Sequence, residues 1–322
     1  MNSSMDHAII LAPMEGLVDA PMRDILTRIG GIDRCVSEFI RVTDGALNIG
    51  SIRRIVPESL TGWKTAAGTP VHPQLLGSDP HWLGVNALLM AQLGAPAVDL
   101  NFGCPAKTVN RHRGGAVLLQ EPETLYQIVS MVRDALPAEV PLTTKMRLGY
   151  SDTSQTLECA SALASGGAAE IAVHARTKEQ GYKPPAEWEW LARVREAVSV
   201  PVIANGDVTD LESYQRIREV SGCSQVMIGR GLVACPELAL GIQGWLSERA
   251  GQVPPRWNEL HPWLIDFYGQ VRAQVVDRHV AGRLKQWLVM LATHYPEARE
   301  LFDQIRRQTC ADVVQGMLAA KT

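Results

Sequence analysis

Short apolar runs of β type recur along the chain with amphipathic stretches between them, and their order carries most of what the sequence says about fold. Eight runs read as strands: Ala8–Ala12, Arg34–Phe39, Val71–Leu76, Ala97–Asn101, Leu142–Met146, Glu170–His174, Val200–Asn205 and Gln225–Gly229. Between them, segments such as Pro122–Leu136 and Thr153–Ser165 repeat apolar residues at the helical period. Runs this short, alternating with helices, predict parallel strands joined by crossovers. Eight such units in about 240 residues suit a closed (β/α)8 barrel. An open doubly wound sheet would want a G-x-G-x-x-G turn after its first strand, and Ala12-Pro-Met-Glu-Gly16 is not one.

Nearly every run ends in a polar or glycine-rich group: Pro13-Met14-Glu15-Gly16, Glu38, Gln74, Asn101, Lys145, His174, Asn205-Gly206-Asp207 and Gly229-Arg230-Gly231. These are carboxyl ends, the face from which barrels collect distant residues into one pocket. Beyond the turn-rich Gly251-Gln-Val-Pro-Pro255 the period changes to helical, over Trp263–Gln274, Val280–Thr293, Pro296–Gln308 and Ala311–Ala320. The predicted architecture is therefore α/β: a (β/α)8 TIM barrel at residues 1–248, followed by a small all-helical domain at 256–322.

Composition narrows the function classes. The six cysteines, at 35, 104, 159, 223, 235 and 310, include no C-x-x-C pair, and the eight histidines form no tight ligand motif. Neither a disulfide framework nor a metal is expected. The longest apolar stretches fall far short of the ~20 residues of a membrane span, and the polar start, Met1 to His7, lacks the features of a secretory signal. A cytoplasmic monomer is expected. The formal charge is −3 overall, but residues 256–322 hold nine Lys and Arg against seven Asp and Glu. A polyanionic partner would thus be held by a local patch, not by the global field.

Asp99-Leu-Asn-Phe-Gly-Cys-Pro-Ala-Lys-Thr-Val-Asn110 is the most informative segment. It places Cys104 in a turn past the fourth strand, with Gly103 and Pro105 fixing the backbone. A thiol with an ordinary pKa near 8.5 can act as general acid or as nucleophile, and Lys107, Arg111 and Arg113 would favour thiolate if they approach. The sequence leaves its resting form open.

Asn101-Phe-Gly-Cys-Pro-Ala-Lys107 is similar to the signature of the tRNA-dihydrouridine synthases. The family's other blocks follow the same order: Ala12-Pro-Met-Glu-Gly16, Gln74-Leu-Leu-Gly77, Lys145-Met-Arg-Leu-Gly149, His174-Ala-Arg-Thr177, Ala204-Asn-Gly-Asp207 and Met227-Ile-Gly-Arg-Gly231. The resemblance implies FMN across the barrel mouth, with Pro13 and Met14 beneath the ring, Glu15 among its contacts and Gln74 at its polar edge. It implies Lys145 by the pyrimidine side, where a cation stabilises an anionic reduced flavin. His174, Asn205, Gly206, Asp207, Gly229 and Arg230 would hold the ribityl chain and phosphate. The implied reaction reduces the C5=C6 bond of a tRNA uridine: hydride from reduced FMN to C6, a proton from Cys104 to C5, and NADPH or NADH as reductant. Asn101 would position the extruded base.

His174-Ala-Arg-Thr-Lys-Glu-Gln-Gly-Tyr182 and Arg283-Leu-Lys-Gln-Trp287 resemble the class C bacterial branch, which modifies position 16 in the D-loop. That branch implies tRNA contacts by Arg41, Tyr182, Arg283, Lys285 and Arg306. Arg111-His-Arg113 departs from the small residues of the branch. The rival readings are a flavin oxidoreductase of free pyrimidines, which would not need the helical domain, and a non-catalytic RNA-binding factor, which would not need Cys104, Lys145 and His174 together.

Overall fold

The structure is a computed structural model describing residues 7–247 and 257–320. Eight parallel strands close into a barrel in sequential order: β1 (Ile9–Leu11), β2 (Arg34–Arg41), β3 (Val71–Leu76), β4 (Val98–Phe102), β5 (Leu142–Gly149), β6 (Glu170–Thr177), β7 (Val202–Asn205) and β8 (Val226–Ile228). Closure is made by β1 against β8, with Ile9 opposite Val226 and Leu11 opposite Ile228. The Gly251–Pro255 linker and most of the polar start, residues 1–6, lie outside the described residues.

Strand alternation sorts side chains between the barrel interior and the helical layer. Val98, Leu100 and Phe102 on β4 join the large core under the helices. The interior has two unlike sectors. Ile10, Ala12, Val36, Ala172, Ile203 and Met227, from β1, β2, β6, β7 and β8, form an apolar cluster. From β3 to β5 the interior is polar instead, with buried Gln74, Asp99, Asn101 and Thr143. Registers place Gln74 beside Asp99, Asp99 beside Thr143, and Asn101 beside Lys145.

β5 and β6 run beyond the Met146 and His174 ends expected from the sequence because they pair with each other as far as Gly149 opposite Thr177. Arg147 and Arg176, which lie just past the apolar runs, sit inside these paired strands and are buried.

The C-terminal helices are Trp257–Gln274, Asp277–Leu291, Pro296–Ile305 and Ala311–Ala319. The first contains Pro262, so it begins before the Trp263 start expected from the sequence. Proline's missing N–H forgoes one bond, to a carbonyl of the opening turn. Trp287 is fully buried, stacked edge-on against Phe267 at 4.8 Å, and its indole N–H donates to the Val233 carbonyl at 3.0 Å. Arg28 pairs with Asp266 at 2.6 Å, and Gln270 donates to Asp24 at 2.8 Å. The helical region is thus packed on the barrel helix Ala20–Ile29 and on the segment after β8.

Candidate active site

A cavity of about 1070 Å³ opens at the carboxyl ends of the strands. Of the residues singled out in the sequence, Pro13, Met14, Glu15, Asn101, Cys104, Lys145, His174, Tyr182, Asn205, Gly206, Asp207, Gly229 and Arg230 line it. One wall comes from the C-terminal helical region, through Gln286, Met290, Thr293 and His294. The volume lies just above the ~300–1,000 Å³ usual for small-molecule sites.

Cys104 sits on a turn whose geometry is over-determined. Asn101 Oδ1 accepts from the backbone N–H groups of Gly103 and Cys104, both at 2.9 Å. The Cys104 carbonyl accepts from Ala116 N at 3.1 Å and Asn110 Nδ2 at 2.9 Å. Gly115 has φ +67°, and a Cβ there would lie 2.8 Å from the Cys104 carbonyl oxygen, so no larger residue fits. Burial first, and Glu15 to a lesser degree, push the Cys104 thiol up, against a lowering contribution from the Ala106 N–H and Arg147. The resting form that the sequence left open is therefore the neutral thiol. Among Lys107, Arg111 and Arg113, the last is turned away to Glu121 at 2.7 Å.

Lys145 donates to Asn205 Oδ1 at 3.0 Å, while Asn205 Nδ2 donates to the Met227 carbonyl at 2.7 Å. Burial and then the neighbouring Arg147 lower the ammonium from 10.5 to about 7, with Asp99 acting in the opposite sense. His174 is held well below 6.5 by burial and by Arg147, Lys145, Arg176 and Arg230, so its ring is neutral. An electropositive sector surrounds a group that does not itself carry charge.

Asp207 adopts φ 53°, a left-handed conformation that non-glycine residues seldom take. Its carboxylate secures that turn by accepting from Arg176 and from Ala186 N, the latter at 3.0 Å. Arg230 approaches the same carboxylate at 3.7 Å. Gly206 has φ +132°, and a Cβ on Gly229 would meet Met14 Sδ at 3.1 Å. Two glycines, an exposed guanidinium and backbone N–H groups after β7 and β8 make a cradle suited to a phosphate.

Tyr182 is 54% exposed and lies near two guanidiniums, with Arg147 at 5.2 Å and Arg230 at 4.8 Å from its ring centre. Arg147 also donates to the carbonyls of Gly103, Thr177 and Gly181. It therefore ties the Cys104 turn to the loop carrying Tyr182. Arg147 and Arg176 were not singled out from the sequence. Each lies two residues past a residue that was, on the same strand face, and that period could have found them.

The remaining sequence candidates lie elsewhere. Gln74 is fully buried and does not line the cavity; its amide bridges Asp99 and Asn101. Arg41 lines a second cavity of about 460 Å³ behind the Cys104 loop, with Val109, His112 and Gly114. Arg283 donates to Asp19 and to the Gly16 and Leu17 carbonyls, clamping the loop after β1 to the helix Asp277–Leu291. Lys285 donates to the Gln308 carbonyl at 2.6 Å. Arg306, at the end of the helix Pro296–Ile305, is exposed. Among the described residues, no group of three or more His, Cys, Asp or Glu is placed to hold a metal, and no helix is long and apolar enough to cross a membrane.

The family model described as "Dihydrouridine synthase (Dus)" matches residues 10–313. The chain is 55% identical to the tRNA-dihydrouridine(16) synthase of Aquipseudomonas alcaligenes over 97% of its own length and 98% of that protein. It is 55% identical to the protein of that name from Pseudomonas putida, covering 95% and 94%, and 45% identical to that from Shewanella oneidensis, covering 97% and 98%. Among solved structures, histamine dehydrogenase from Rhizobium sp. 4-9 superposes with a TM-score of 0.57 at 13% identity, covering 81% of this chain and 48% of that one. A variant of NCR from Zymomonas mobilis gives 0.52 at 14% identity, covering 76% and 87%. These two likenesses speak to the barrel fold alone.

Proposed function

This chain belongs to the dihydrouridine synthase family, and from that premise we propose that it is a flavin-dependent tRNA-dihydrouridine synthase acting on uridine 16 of the D-loop. The observation that carries the reading is a single cavity that gathers Cys104, Lys145, His174 and Tyr182 from three strands and their loops, beside a glycine-lined cradle. FMN suits that cradle: Gly206 and Gly229 leave room where a Cβ would intrude, and Arg230 and the backbone N–H groups offer charge to a phosphate. When bound, the flavin supplies the hydride that C6 of uracil receives, and NADPH, or NADH in its place, restores its reduced state.

The chain's own residues do the rest. Cys104, neutral and held by Asn101, delivers a proton to C5 from the face opposite the hydride. Lys145, its ammonium pushed down toward neutral pH by burial, would place positive charge near the pyrimidine edge of a bound flavin. The neutral His174 offers a hydrogen bond without adding repulsion to the Lys145, Arg147 and Arg230 cluster. Tyr182 provides an exposed aromatic face, backed by two guanidiniums, on which an unstacked base can rest.

Residues 1–248 form the catalytic unit and 256–322 the tRNA-gripping unit in this reading. Of the cations the family branch points to, Arg41 and Arg306 are exposed and can meet phosphates. Arg283 contributes by tying the helical region to the loop after β1, and Lys285 by bracing that region internally through the Gln308 carbonyl. The protein works in the cytoplasm as a monomer.

Mass-spectrometric mapping of tRNA incubated with the flavin-loaded protein and NADPH tests the proposal. Two hydrogens gained at position 16, absent with Cys104→Ala, are expected. A gain at another D-loop uridine overturns the position. Reduction of free pyrimidines without any change in tRNA overturns the substrate.

A further inference from the structure

The polar sector between β3 and β5 holds a hydrogen-bond chain that ends on the Cys104 turn. Asp99 is buried, with one carboxylate oxygen accepting from Thr143 and the other from Gln74 Nε2 at 2.7 Å. Gln74 Oε1 accepts from Asn101 Nδ2 at 2.7 Å. Asn101 Oδ1 then accepts the N–H groups of Gly103 and Cys104.

Both ends of this chain have fixed polarity. A carboxylate only accepts, and a backbone N–H only donates. Between them, each amide has one orientation that satisfies both neighbours: NH2 toward Asp99, oxygen toward Cys104. If Gln74 turned over, Asn101 would have to turn as well, and its NH2 would face two further donors.

We propose that Asp99 is a positioning residue for the reaction, which sets the direction of the Gln74–Asn101 relay and thereby holds the turn that aims the Cys104 thiol. This deepens the function proposed above and rests on it. Burial raises the Asp99 carboxyl to about 6, with the Thr143 and Gln74 hydrogen bonds opposing, Glu170 adding and Lys145 opposing; it is ionised at neutral pH. The charged groups facing this sector are Lys145 on β5 and the Arg34–Glu170 pair from β2 and β6; His72 on β3 is pushed down to about 3 by burial and Arg34, and is neutral.

Three variants separate the relay from its alternatives. Asp99→Asn keeps an acceptor for Gln74 and can donate to the Thr143 hydroxyl, so it preserves direction without charge. Asp99→Leu removes the acceptor. Gln74→Met breaks the relay one link further on and carries the test if Asp99→Leu does not fold.

Two readouts apply: kcat and KM for dihydrouridine formation in tRNA, and the rate of iodoacetamide alkylation of Cys104, followed on its own peptide by mass spectrometry. The second does not depend on the reaction. Asp99→Leu and Gln74→Met are each expected to lower kcat about tenfold, the factor of one buried hydrogen bond, with KM for tRNA unchanged. Each should speed Cys104 alkylation by a similar factor. The double variant should lose no more than either single one, and Asp99→Asn should stay within about twofold of the parent.

Equal losses in Asp99→Asn and Asp99→Leu would overturn the proposal in favour of a charge effect on Lys145. Multiplying losses in the double variant, or unchanged Cys104 alkylation in folded Asp99→Leu, would overturn it in favour of a packing role. Absence of dihydrouridine with the parent protein would strike the proposed function instead, leaving the alkylation comparison interpretable.

Discussion

Replacing Lys145 by Met should make the flavin-free protein more stable at neutral pH and less stable at high pH, with the two stability curves crossing between. In the native chain the ammonium is lowered from 10.5 to about 7. Below about 7 the folded protein holds a charge that burial disfavours, and between about 7 and 10.5 the unfolded chain binds a proton that the folded one lacks. Stability of the parent therefore rises with pH through that window, by up to about 4 kcal/mol from linkage. Lys145 lines a cavity that water enters, so screening reduces the effect to about 2 kcal/mol. Methionine has similar length and abolishes this term, but leaves Asn205 Oδ1 without its donor, a loss of about 1 kcal/mol. The net expectation is about 1 kcal/mol gained near pH 7 and about 1 kcal/mol lost near pH 10, together with loss of turnover. Denaturant unfolding of both flavin-free proteins across this range measures the difference, in which other titrating groups cancel. A Lys145→Met difference that stays constant with pH would refute the reasoning, because it would mean that Lys145 is protonated alike in the folded and unfolded chains.

Other outcomes follow from the same geometry. The alkaline limb of the pH–rate profile, where the proton donor is lost, should lie above that of an ordinary thiol, because burial raises Cys104; rate measurements under saturating substrate check it. Gly229→Ala should weaken flavin retention about tenfold by crowding Met14, whose sulfur would lie 3.1 Å from the new Cβ; the flavin absorbance left after dialysis reports this. Arg306→Ala should weaken tRNA binding and reduce the slope of log affinity against log salt by about one. Arg283→Ala should instead lower the unfolding midpoint, because it deletes a partly buried fork to Asp19, Gly16 and Leu17 worth about 2 kcal/mol.

The barrel was legible because its strands are short apolar runs and its carboxyl ends carry the polar residues. That rule found Asn101, Lys145, His174 and Asn205 directly. It missed Arg147 and Arg176, which continue β5 and β6 past the apolar segment, where the two strands pair to Gly149 and Thr177. The helical patterns after residue 256 were equally clear, apart from the first turns before Pro262. Tertiary pairing was not visible. Arg283 and Lys285 read as surface cations, yet one reaches Asp19, 264 positions away, and the other caps a carbonyl 23 positions on. A one-dimensional pattern records charge but not whether a partner folds against it. Gln74 shows the same gap: its strand followed from the sequence, which placed it at the flavin's polar edge, whereas its burial away from the cavity and its engagement by Asp99 and Asn101 depend on the strand registers.

These registers also explain why the polar sector persists. An interior filled by Val, Ile and Leu would satisfy the barrel, as β1, β2, β6, β7 and β8 do through Ile10, Val36, Ile203 and Met227. Asp99, Lys145 and His72 instead place ionisable groups where burial shifts Asp99 up and Lys145 and His72 down, so holding Asp99 and Lys145 charged weakens the fold relative to apolar substitutes. Such groups concentrate on the three strands that carry Gln74, Asn101 and Lys145 toward Cys104. A barrel whose β3–β5 interior was made apolar should therefore be the more stable protein and the inactive one, because the same buried carboxylate that strains the core gives the Cys104 turn its direction.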